Sequence, residues 1–285
     1  MSPRPPKRRH QGEHWLHRWK RHLPWRQTHV ARGTAYLTSD GSYVPVPSWS
    51  LPDGIELVDD PGPARWIEDL TRDNWARVAG ILPDHFEAYV RVLHPANRPV
   101  GTHEREPVSW AEVAQMNGKR MHARAEFAKL AGIEPLNGRP SWGERPEEGD
   151  LPPEVAEPLV RVLRRFTNDP DSCWFCIWFG WGDLHLLEGY DEDTYPHVKA
   201  PGREYLLTRG SIDLVTCFGK DMHNAPSIWW PDDRAWCVAT EIDLDSTYVG
   251  GSAELTTALM DEPELEVWPA EATDRLDYDS DTLND

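Results

Sequence analysis

From Phe86 to His94 the chain alternates, with Phe86, Ala88, Val90 and Val92 on one side and Glu87, Tyr89 and Arg91 on the other. This period of two predicts a strand, closed by Pro95. Upstream, Pro61-Gly62-Pro63 marks a turn, and Pro63 suits the first turn of a helix whose apolar face is Trp66, Ile67 and Leu70, continued after a break by Trp75, Val78 and Ala79. Downstream, Ser109 with Glu112 three residues later forms a capping box, and Val108 with Val113 can close the hydrophobic staple. That helix ends at Asn117-Gly118, and a second, through Phe127 and Leu130, stops at Gly132. Asp150 can cap a third, with Val155, Leu159, Val162, Leu163 and Phe166 on one face. Pro158 is tolerated only in a first turn, which predicts a later start for that helix than the apolar spacing implies.

The second half reads as β-rich. CWFCIWFGW is a continuous apolar run of the kind a buried strand shows. Strands are predicted at 173–180, 203–209, 211–217, 235–242 and 264–268, and one helix at 253–260, capped by Ser252 and stopped by Pro263. Strands joined by hairpin-like turns, with helices before and after, define an α+β class: a mainly antiparallel sheet with flanking helices. The expected organisation is a head and linker over residues 1–50 and a single α+β domain over 51–270, with a candidate internal boundary at the Pro/Gly/charge-rich stretch 133–150. An acidic tail follows over 271–285, expected to fray. No stretch approaches the roughly 18 uncharged apolar residues of a membrane helix, so no membrane partner is expected.

Charge changes this picture most at the N-terminus. Residues 1–32 hold nine Lys/Arg against Glu13, a net of +8, so the remainder of a chain of formal charge −18 carries −26. A body this acidic repels phosphate backbones, so nucleic-acid binding is expected only through the basic head. Arginine outnumbers lysine 24 to 6, as GC-rich coding gives, and the head reads as a disordered, idle or upstream-translated segment rather than a functional arm.

Four cysteines among 285 residues are too few for a disulfide-built domain, which points to a reducing, cytoplasmic compartment. Cys173 and Cys176 match C-x-x-C, but on a strand positions three apart face opposite ways and cannot readily share a metal, so they read as core residues. Glu241, Asp243 and Asp245 fall at i, i+2 and i+4; if the strand runs that far they share one face, as a divalent cation or a metal-dependent hydrolase requires. The competing reading is a half-solvated strand face. Trp229, Trp230, Asp232 and Arg234 make a compact aromatic and polar corner, and Arg203 and Arg209 alternate with Tyr205 on a strand that can meet the carboxylates across the sheet. His94 and His185 are the histidines of interest outside the head. No nucleophile elbow or other recognised catalytic constellation is visible.

At FEAYVRVLHP, WFCIWFGWGDL, PGREYLL and PSIWWPDDRAWCVATEIDLDSTYVGGS, the chain resembles a family of cytosolic proteins of high-GC Gram-positive bacteria, over about residues 51–270. The resemblance implies a core that begins near Leu51 and carries over no catalytic residue, because no activity is attached to that family. The favoured expectation is a non-catalytic module, of the immunity or regulatory kind, that binds a protein partner or small ligand without a cofactor. A metal-dependent hydrolase using a divalent cation at Glu241, Asp243 and Asp245 is the alternative. An acidic nucleic-acid mimic is a further one.

Overall fold

The apolar run at 173–178 does form a strand, and most of the molecule is built around it. The computed structural model describes residues 35–37, 43–45, 50–70, 76–101, 104–180, 187–191, 194–200, 203–221, 225–277 and 280–284. The basic head, Trp75, Trp181, Asp183, His185 and the Pro201-Gly202 turn lie outside these residues. Two units separate. In the smaller, β1 (Ala35–Leu37) and β2 (Tyr43–Pro45) pair antiparallel, and Ser50 Oγ donates to Glu188 Oε2 at 3.0 Å.

The larger unit holds a nine-stranded sheet in the order β13-β4-β12-β11-β10-β7-β9-β3, with β8 beside β3 on the outer side of β9. Its strands are β3 (Glu56–Leu57), β4 (Ala88–Leu93), β7 (Cys173–Trp178), β8 (Val198–Ala200), β9 (Arg203–Gly210), β10 (Ile228–Pro231), β11 (Cys237–Ala239), β12 (Ser246–Gly251) and β13 (Val267–Ala270). Every pairing is antiparallel. One face is a cluster of Trp174, Cys176, Tyr205, Leu207, Trp230 and Tyr248, covered by Trp66 and Ile67 of α1 (Arg65–Leu70) and by Val78 and Leu82. The other face meets helices: Phe175 packs on Phe218 of α5 (Val215–Asp221) at 5.7 Å, and α6 (Ala253–Met260) lies against β4, β12 and β13, with α4 (Pro153–Leu163) packed on both helices. This is the expected α+β architecture with flanking helices. Because both faces are covered, β4 is buried along both edges of its alternation, Tyr89 and Arg91 included.

A second, smaller core joins the hairpin of β5 (Ala96–Pro99) and β6 (Arg105–Val108) to α2 (Trp110–Met116) and α3 (Phe127–Ala131) through Val108, Trp110, Val113, Phe127 and Leu130. Local signals place these helices well. Ser109 Oγ accepts from Glu112 N, and Gly132 closes α3 in the left-handed region at φ 64°. Glu112 does not complete the box; its carboxylate takes Arg98 at 2.6 Å, and the first amides of α2 donate instead to Glu266.

Other expectations are corrected. Residues 211–217 are no strand: Ser211 caps a 3-10 turn that runs into α5, and Ile212, Val215 and Phe218 bury a helical stripe. The strand expected at 235–242 stops at Ala239, and that expected at 264–268 lies at 267–270. Asp150 caps no helix; it accepts from Leu151 N and Ala225 N, while α4 starts at Pro153 with Pro158 buried inside it.

The acidic tail does not fray over its described residues. Asp281 is 0% exposed and accepts from His122 Nε2, Glu126 N, Leu283 N and both nitrogens of Asn284. Lys119 and Lys129 donate to the Asn284 and Asp281 carbonyls, and Asn284 reciprocates with the backbone of Arg120. A tail rich in acid, read as solvated by composition, is tied down by basic side chains and free amides of residues 119–129.

Candidate functional site: the carboxylate turn and the arginine–tryptophan surface

Glu241, Asp243 and Asp245 sit on the turn between β11 and β12, so the strand alternation that would align them is absent. Gly149 holds this turn: its N–H donates to Leu244 O at 2.9 Å, its φ is +81°, and a Cβ there would lie 2.4 Å from Ile242 O. Only glycine meets both demands. Two of the carboxylates then share one arginine and the third goes to another. Arg203, at the start of β9, pairs with Glu241 at 2.9 Å and Asp243 at 2.7 Å while its guanidinium lies 5.5 Å from the Trp178 ring. Asp245 turns to Arg91, which is buried, donates to Ser246 Oγ and Ala125 O, and stacks on Trp110 at 5.0 Å. Burial pushes the Glu241 and Asp245 carboxyls up, against the pull of Arg203 on the first and of Arg91 and Arg145 on the second. Among the described residues no group of three His, Cys, Asp or Glu is placed to hold a metal ion.

Asp243→Asn is therefore expected to lower stability by about 1 kcal/mol, because it leaves half-buried Arg203 with one carboxylate, the exposure of the pair keeping the effect small. Urea denaturation reads this directly; a variant as stable as the parent, or more so, would show that the turn suffers net repulsion instead.

The aromatic corner is rearranged relative to expectation. Trp229 and Trp230 are buried on opposite faces of β10: Trp229 against Trp236 at 5.2 Å, Trp230 against Trp66 at 5.6 Å. They are core, not surface. The exposed role falls to two arginines, each laid over a buried indole. Arg209 pairs in register with Trp174, stacks on its ring at 5.0 Å, and donates through Nε to Ser172 Oγ at 3.1 Å. Trp174 Nε1 donates to Asp232 Oδ1 at 2.9 Å. Arg234 holds a left-handed backbone, φ 53°, which closes the turn after β10 and lays its guanidinium 5.1 Å from the Trp66 ring. Both arginine residues are exposed. A non-glycine residue with positive φ is uncommon and is kept where its surroundings over-determine it.

Sequence reasoning missed the platforms, Trp66 and Trp174, because each meets its arginine across the sheet or across the chain. It also missed a relay in which Tyr190 Oη and His197 Nε2 lie 2.8 Å apart and His197 Nδ1 faces Glu204 at 3.4 Å. No local spacing announces it. His94, singled out before Pro95, is buried: the Glu147 carbonyl can only accept, so Nδ1 carries the proton and Nε2 accepts from Thr247, which accepts in turn from Thr240. Comparison with known protein families, with curated proteins and with solved structures finds no match for this chain.

Proposed function

We propose that the chain is a non-catalytic binding module, of the immunity or regulatory kind, that engages a protein partner through the exposed residues Arg209, Asp232 and Arg234, with Trp174 buried beneath Arg209. One observation carries this reading: two exposed guanidiniums are held over indoles at 5.0 and 5.1 Å. Arginine stacked on tryptophan has already given up rotamer freedom, so pairing with a partner's carboxylate orders little more. Arginine is among the residue types that dominate interface energetics. The carboxylates that offered the alternative chemistry are engaged with Arg203 and Arg91. The formal charge of −18 adds long-range steering of a partner that is basic overall.

The test compares the parent and the Arg209→Ala/Arg234→Ala protein as baits in extract of the native host. A partner retained by the parent and reduced at least ten-fold on the variant is expected. Equal retention on both baits would remove this surface from the function.

A further inference from the structure

Between the β5–β6 hairpin and the entry to α4 runs a groove of about 480 Å³, within the size range of ligand clefts. Its walls are Pro95 and Pro107 on one side and Pro152 and Pro153 on the other. Proline has no rotamer freedom to lose and a fixed φ, so this shape exists before anything binds. Four further bonds fix it. His94 Nδ1 donates to the Glu147 carbonyl at 2.8 Å, Asp150 Oδ1 accepts from Ala225 N at 2.8 Å, and Asn97 and Glu144 exchange backbone hydrogen bonds. The charges lining it are unequal. Glu147, Asp150 and Glu154 face one arginine, Arg105, which Glu144 already neutralises at 2.7 Å. The Glu147 and Glu154 residues are exposed, and neither carboxylate has an ion pair among the described residues.

The geometry points to this groove as the docking site for an extended, arginine- or lysine-bearing segment of the protein partner. The inference rests on the binding-module reading and adds the chemistry of the partner. Charge complementarity selects the occupant: a cationic side chain gains two carboxylates that have no competing cation, while an anionic segment meets repulsion in the groove and from the acidic body alike. Extended backbone suits a channel lined by prolines, which offer no amides of their own, and leaves the occupant's amides to water.

The probe is a labelled decapeptide of alternating arginine and glycine, followed by fluorescence anisotropy at 0.15 M salt, where the screening length is about 8 Å and remote charges count little. Glu147→Lys/Glu154→Lys is expected to raise Kd at least ten-fold. Glu56→Lys/Asp59→Lys, with the same change in net charge at the β3 edge of the sheet, should leave Kd within two-fold. All four residues are exposed, so both variants should melt with the parent. Equal weakening in both variants, or no binding by the parent, overturns the groove. The two baits of the preceding experiment separate the readings. If the peptide result fails while Arg209→Ala/Arg234→Ala still loses its partner, the groove falls and the binding module stands; if both fail, both fall.

Discussion

Asp281→Ala lowers the stability of this protein by about 3 kcal/mol, the expected cost of orphaning several buried donors at once. At roughly 2–4 °C per kcal/mol for a chain of this size, the melting temperature falls by about 6–12 °C. The reason is geometric. A fully buried carboxylate collects the His122 ring, three backbone amides and the Asn284 side chain, and so ties the last residues to the segment between α2 and α3. Burial works to raise the Asp281 carboxyl, but the bonds from Asn284, Leu283, His122 and Glu126 outweigh it and hold it at about 2. With the folded value below the unfolded one, this contribution is complete above pH 4 and is lost as pH falls toward 2. A melting temperature within a degree of the parent would show that the tail rests on the body without holding it.

A second loss of stability is expected at milder acidity and comes from His94. Burial, helped by nearby Arg91 and opposed by the Glu147 carbonyl, pushes its imidazole down from 6.5 to about 4. The unfolded chain thus binds a proton that the folded one refuses, and stability declines as pH falls from 6.5 to 4. The gap between the two values corresponds to about 3 kcal/mol. Because the Asp281 window lies below pH 4, urea titrations at half-unit steps separate the two. His94→Gln should flatten the upper window by one proton while leaving the lower window in place. The raised Glu241 and Asp245 carboxyls contribute the opposite slope to parent and variant alike, so the comparison decides. Parallel profiles for the two proteins between pH 6.5 and 4.5 would mean that His94 is charged in the folded state or reaches water there.

Elements whose signals are local were legible in the sequence. Ser109, Gly132 and Ser252 close or open their helices through bonds to residues three or four away, and those are found where the spacing put them. The stretch 211–217 was misread for the opposite reason. Its β-branched composition favours a strand, whereas the buried trio Ile212, Val215 and Phe218 has the three-residue spacing of a helix, and tertiary burial decides. The candidate site was legible in its residue types and not in its arrangement. That Arg203 and the acids after β11 belong together was visible; that Asp245 leaves them for Arg91 depends on β4 pairing with β12, far away in the chain. Likewise, Trp229 and Trp230 looked like surface because they adjoin Pro231 and Asp232. Strand order, with β10 in the sheet's interior, buries both.

The position of β4 between β12 and β13 has a consequence for how the protein is born. Leu93 pairs with Ser246 and Val92 with Val267, so β4 has no strand beside it until roughly 150 residues have followed it. At translation speeds of about 5–20 residues per second, roughly 150 residues take about 8–30 s to emerge. For that interval the Ala88–Leu93 segment, apolar on one side and destined for burial from Tyr89 onward, is exposed on the ribosome with both edges open. Folding of the sheet is therefore a late event, governed by long-range pairing rather than by vectorial growth. Slowing elongation gives such a chain no head start and lengthens its exposure to chaperones and to aggregation.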